Sequence, residues 1–155
     1  MRILSLDVGT KRIGVAFADT SVRIAIPREM IPVDGNEFAA IAKQFRLEKA
    51  DLIVSGLPRN NQGEETAQTK VVQEFIAALS NYFLENEPKV PLIKFQDETL
   101  TSVAAEQYLT VNTHEFSPKE RATGKLDSEA AAIILEDFME GANLAKIEEE
   151  LKNGE

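Results

Sequence analysis

Three carboxylates from widely separated stretches carry the chemistry open to this sequence: Asp7 in "ILSLDVGT", Glu98 in "KFQDET" and Asp127 in "GKLDSEAAAIIL". Each has an ordinary role available. Asp7 can close an Asx turn onto Gly9 or Thr10, Asp127 can cap a helix, and Glu98 can sit at a solvated rim. Together they suggest more. Alternation puts Ile3, Ser5 and Asp7 on one strand face and Leu4, Leu6 and Val8 on the other, and an aspartate in a buried strand is costly unless paired or bound to a cation. Carboxylates brought together repel and raise one another's pKa, and a hard divalent ion removes that conflict. All-oxygen ligation suits Mg²⁺ or Mn²⁺. Two such ions about 4 Å apart activate a water and stabilise the leaving oxygen of a phosphoryl displacement. That is nuclease chemistry, and it requires neither cysteine, which is absent, nor histidine, of which there is only His114 in a polar stretch.

The elements that must position these acids follow from the apolar pattern. Residues 2–8 and 13–18 read as strands joined by "GTKR", with Gly9 available for a positive φ. Residues 22–31 continue as a third strand, bent or ended by Pro27 and Pro32. Phe38, Ile41, Ala42 and Phe45 then recur at helical spacing. "ADLIVSGLP" reads as a buried parallel strand stopped by Gly56 and Pro58, followed by the polar loop "RNNQGEE" and a helix with Val72, Phe75, Ile76, Leu79 and Phe83 inside. "VPLIKFQDE" is the last strand and "TSVAAEQYL" a short helix; residues 112–125 read as a loop. A core helix starts at Asp127 with Ala131, Ile134, Leu135 and Phe138 on its inner stripe, which directs Asp127 toward the sheet. Residues 142–155 are an acidic tail, a solvated helix or frayed end, after a domain spanning 1–141. The class is α/β: a mixed sheet with helices on its faces. In such sheets the functional crevice lies at the carboxyl ends of the parallel strands.

A chain of 155 residues with 43% hydrophobic and 28% charged side chains is one globular domain. It has neither an apolar run of about 20 residues nor a signal-like N-terminus, so a cytoplasmic protein with no membrane partner is expected. A net charge of −9 argues at first against nucleic acid. Residues 127–155, however, hold nine acidic and two basic side chains, leaving only −2 for the first 126 residues. Lys11, Arg12, Arg59, Lys119, Arg121 and Lys125 are available in loops for phosphate contacts. The acidic tail suits a basic protein partner or keeps the chain soluble.

The stretches "LDVGTKRIGVAFAD", "VSGLPRNNQGEE", "DETLTSVAAEQYL" and "KLDSEAAAIIL" resemble, in order and spacing, those of the bacterial YqgF/RuvX family, from Met1 to about Gly141. The resemblance implies an RNase H-like fold with a five-stranded mixed sheet in order 3-2-1-4-5, helices on both faces and a two-metal acidic site. It implies an Mg²⁺- or Mn²⁺-dependent endonuclease acting on structured nucleic acid, with precursor 16S rRNA favoured and Holliday junction-like branched DNA as the alternative. Position by position, the family's first aspartate falls on Asp7, its glutamate on Glu98 and its helix aspartate on Asp127; its "RIGVA" falls on Arg12 to Ala16 and its loop glycine on Gly63. Thr99 stands where the family has arginine, which bears on rate and substrate affinity rather than on metal ligation. Two other readings compete. "DVGT" also resembles the phosphate loop of the actin and sugar-kinase superfamily, whose two closing domains exceed this chain's length. A catalytically weak module binding RNA or protein is the other, motivated by Thr99 and the acidic surface.

Overall fold

The computed structural model describes residues 1–98 and 125–154, with side chains described for 1–98 and 128–154. The expectations for a helix in "TSVAAEQYL", for a loop at 112–125 and for Thr99, His114, Lys119 and Arg121 fall outside the described residues, as do the side chains of Lys125 and Asp127.

Strand β1 (Arg2–Val8) pairs antiparallel with β2 (Arg12–Asp19), setting Leu6 opposite Val15 and Asp7 opposite Gly14. Strand β3 (Ile26–Pro32) continues the meander on the far side of β2. After helix α1 (Glu37–Leu47), strand β4 (Leu52–Pro58) returns parallel to β1; after helix α2 (Ala67–Asn86), strand β5 (Leu92–Glu98) lies parallel to β4. The order is β3-β2-β1-β4-β5, as the resemblance implied.

Two expectations about the meander change. The third strand starts at Ile26, not at residue 22, because Asp19 winds the chain into a turn: its carbonyl accepts the amides of Val22 and Arg23, each at 3.0 Å, its carboxylate accepts the Ser21 amide, and Arg23 takes a φ of 62°. Gly9 is needed for space and not for a left-handed backbone. Its amide donates to the Arg12 carbonyl at 3.0 Å, and a Cβ there would lie 2.6 Å from the same oxygen.

The pleat divides the core into two layers. Leu4, Leu6, Val8, Ile13, Val15, Ile53 and Leu57 face α1 and α2, meeting Ile41 and Phe45 of the first and Val72, Ile76, Leu79 and Phe83 of the second. Phe45 and Phe83 lock the two helices edge to face, with centroids 5.3 Å apart. Thr66 starts α2 with a reciprocal capping box to Thr69, satisfying amides that the first turn leaves unpaired. On the opposite face, Ile3, Ala16, Ala18, Leu52 and Val54 meet Ala131, Ile134, Leu135 and Phe138 of helix α3 (Lys125–Gly141). The helix begins two residues before Asp127, within the usual uncertainty of a helix end.

Helix α4 (Leu144–Asn153) occupies the segment expected as a solvated helix or frayed end. It is a seated helix. Asn143 caps it by accepting the Lys146 amide at 3.1 Å, Ile147 is buried, Leu144 and Leu151 pack beside it, and Glu150 pairs with Lys94 of β5 at 3.0 Å.

The outer side of α3 is a source of repulsion. Partial burial pushes the Glu136 carboxyl up, helped by the carboxylates of Asp137, Glu140 and Glu129; burial and then Glu140 push Asp137 up. A carboxyl raised in the fold favours the protonated folded state, so stability is present at acid pH and lost as pH rises through the folded pKa. Glu136→Gln is therefore expected to raise Tm at neutral pH by about 1–2 °C. Melts at neutral pH and at about pH 4 should show that gain vanish on acidification.

Candidate active site at the carboxyl ends of the central strands

Strand β1 carries Asp7 on the face that α3 covers, and two buried hydroxyls fix how α3 lies there. Ser5 donates to the Ala131 carbonyl at 2.8 Å, with the Ala16 carbonyl 3.4 Å away. Ser128 accepts from the Val15 amide at 3.5 Å, at the break in the β2–β3 register. Farther along α3, Arg23 donates to the Met139 carbonyl at 3.1 Å. The helix thus starts at the carboxyl end of β1 and runs back toward its beginning. Its first turn, to which Asp127 belongs, shares one end of the molecule with Asp7.

Glu98 comes to the same face from two strands away. Pro58 pairs with Glu98, and after the Leu6–Ser55 pair the next residues on β1 and β4 are Asp7 and Gly56. With neighbouring strands about 4.8 Å apart, β5 lies roughly 10 Å from β1 across β4. The glutamate spans part of that gap by folding back over the intervening strand: a Cβ on Gly56 would stand 2.9 Å from its Oε1 and 3.0 Å from its Cδ. Glu98 is accordingly half-buried rather than a solvated rim residue, and so is Asp7. Gly14, opposite Asp7, adds no side chain beside the aspartate. Asp7 and Glu98 both hold interactions within the fold.

Among the described residues no three acids or histidines are grouped closely enough to hold an ion. The donor chemistry nevertheless suits one. Asp7 and Glu98 offer hard oxygens, and the cradle over Gly56, which one methyl group would fill, is occupied by a carboxylate on the Asp7 face. Asp127 would supply a third oxygen donor from α3.

Basic candidates stand at the same end. Lys11 is exposed in the β1–β2 turn, where its carbonyl accepts the Val33 amide, and Arg12 opens β2. Arg59 continues β4 by donating its amide to the Glu98 carbonyl at 3.0 Å, while its Nε lies 3.2 Å from Asp97 Oδ1. Among the described residues that Nε has this ion-pair contact but no aligned hydrogen bond. The loop beyond is wound by Asn60, whose Oδ1 accepts the amides of Gln62 at 3.0 Å and Glu64 at 2.8 Å; Gly63 turns it with a φ of 77°, a conformation that favours glycine.

Ser5, Ser128 and Gly56 are the site residues that the sequence did not mark. A serine inside "ILSLD" was the available signal for the first. Gly56, read as a strand stop, lies inside β4.

Comparison with known proteins identifies the family and the fold. A family model described as "RuvX: Holliday junction resolvase" matches residues 1–141. A Chloroflexus aggregans protein named "Putative pre-16S rRNA nuclease" is 39% identical over 141 residues, 89% of this chain and 92% of that protein. A protein of the same name from Chloroflexus aurantiacus is 42% identical over 141 residues, 89% of this chain and 86% of that protein. Among solved structures, the fowlpox virus Holliday junction resolvase superposes with a TM-score of 0.51 at 16% identity, covering 90% of this chain and 98% of that one, which shows a shared fold.

Proposed function

Since the chain belongs to the RuvX (Holliday junction resolvase) family, we propose that it is a nuclease that hydrolyses phosphodiester bonds of structured nucleic acid with Mg²⁺ or Mn²⁺, precursor 16S rRNA being the favoured substrate. The observation that carries this reading is the Glu98 carboxylate folded over Gly56 onto the face that bears Asp7. Asp7 and Glu98 would hold the metal, with Asp127 completing the ligand set. When bound, one or two such ions lower the pKa of a water nucleophile and neutralise charge on the phosphate. The side chains do the rest. The Ser5 hydrogen bond holds α3 to β1 and the Ser128 hydrogen bond holds it to β2, so that its first turn keeps its position. Lys11, Arg12, Arg59 and Lys125 would place the phosphates by charge.

RNA is favoured by the names of the two Chloroflexus relatives, 39% and 42% identical to this chain. Branched DNA is the second reading, favoured by the description of the matching family. No described helix is long and apolar enough to cross a membrane, and work on ribosomal RNA would place the protein in the cytoplasm. Residues 1–141, the span of the family match, would be the nuclease domain, and the acidic segment 142–155 would offer a contact for a basic protein.

Purified protein incubated with a precursor 16S rRNA fragment, or with a four-way DNA junction, is the test. Cleavage of the RNA is expected with Mg²⁺ or Mn²⁺ and not with EDTA. Cleavage of the junction alone would transfer the assignment to DNA. Failure to cut either substrate in either metal would overturn the nuclease reading.

A further inference from the structure

We propose that Gly56 is a positioning residue for the Glu98 carboxylate: its bare Cα is the floor that sets where the glutamate's oxygens stand. The inference rests on the reading of Glu98 as a metal ligand and adds to it a residue that touches neither metal nor substrate. A glycine inside a strand weakens the sheet and marks a close approach of something else. Gly56 lies inside β4, paired with Gln96 of β5, and its φ is outside the left-handed region, so backbone conformation does not demand glycine. Space does. An added Cβ would lie 2.9 Å from Glu98 Oε1, 3.0 Å from Glu98 Cδ and 2.6 Å from Ile134 Cδ1.

Those contacts belong to two separable functions. Ile134 is fully buried core on α3, so its contact concerns packing. Glu98 has three rotatable side-chain bonds and only partial burial, so where its carboxylate stands depends on the room beneath it as well as on the interactions it holds in the fold. The bare glycine floor leaves the carboxylate room for a pose over β4 that leans toward β1.

Ile134→Val deletes the Cδ1 atom and with it the packing conflict, leaving only the conflict with the carboxylate. Four proteins are compared with wild type: Ile134→Val, Gly56→Ala, the double variant Gly56→Ala/Ile134→Val, and Glu98→Gln. The readouts are Tm, Mn²⁺ affinity of the metal-free protein by calorimetry, and RNA cleavage. The double variant is expected to melt near Ile134→Val yet bind Mn²⁺ about 10–100-fold more weakly than Ile134→Val, the loss typical when a ligand's supporting contact is changed. If it binds Mn²⁺ as tightly as Ile134→Val while Glu98→Gln binds poorly, the positioning role is overturned and the ligand reading stands. If Glu98→Gln binds Mn²⁺ normally, the ligand reading falls and takes the positioning role with it. Loss of the fold in the double variant, despite removal of the Ile134 methyl, would assign Gly56 to packing alone and also overturn the proposal.

Discussion

Asp7→Asn is expected to leave the structure folded and to lower metal-dependent cleavage by about 100-fold or more, since changes one shell farther from a metal already cost about 10–100-fold. The substitution keeps the shape of the side chain and removes its charge. Asp7 is half-buried at the carboxyl end of the central strand, opposite Gly14, and its neighbours Leu6 and Val8 pack on the other face of the sheet. Loss of the charge therefore leaves the core contacts of β1 in place while the proposed ion loses an anionic oxygen for a neutral, weaker one. The measurement is turnover of the RNA fragment across a Mn²⁺ titration, beside a thermal melt. A shift of the titration to higher metal with unchanged Tm would locate the defect in ion binding. Undiminished turnover would remove Asp7 from the catalytic set.

Leu135→Ala should produce the largest loss of stability, about 2–5 kcal/mol, or roughly 4–20 °C in Tm for a chain of this length. Leu135 is fully buried and packs in the cluster formed by Ile3, Ala16, Leu52 and Val54 with the inner stripe of α3. Truncation removes both transfer energy and close contacts, and the short alanines around it have no length with which to fill the space. The loss bears on the site as well, because this packing and the Ser5 and Ser128 hydrogen bonds are what seat α3. Urea unfolding should give a lower midpoint with an unchanged slope. A midpoint equal to that of wild type would mean that the α3 layer contributes little to the fold.

Local periodicity made much of the architecture legible. The helical recurrence of Ile41, Ala42 and Phe45, and of Val72, Ile76, Leu79 and Phe83, marks the faces that are buried, and the short apolar run ending in "GLP" marks the parallel strand β4. The face carrying Ser5 and Asp7 was likewise readable from alternation alone. Contacts between remote segments were not. Nothing in "KFQDET" says that Glu98 folds over a glycine on the neighbouring strand, and nothing in "KIEEELKNGE" says that Ile147 finds a cleft among α3 and its surroundings. Gly9 and Gly56 fail for a shared reason. Sequence marks a glycine, but whether it is there for a positive φ or for room depends on what comes close in three dimensions. The convergence of Asp127 with the other two acids stays a proposal, supported by the course of α3 past Val15 and Ser5.

The bond from Ser5 to the Ala131 carbonyl joins positions 126 residues apart. Contacts of such wide separation are slow to form, because the chain must close a long loop before they repay its entropy. During synthesis the first strands emerge with one side of the sheet bare, and Ile3, Leu52 and Val54 wait for a helix that begins only at Lys125. The α3 face of the sheet therefore stays open on a partly made chain. In that interval the uncovered apolar layer is a natural target for chaperones.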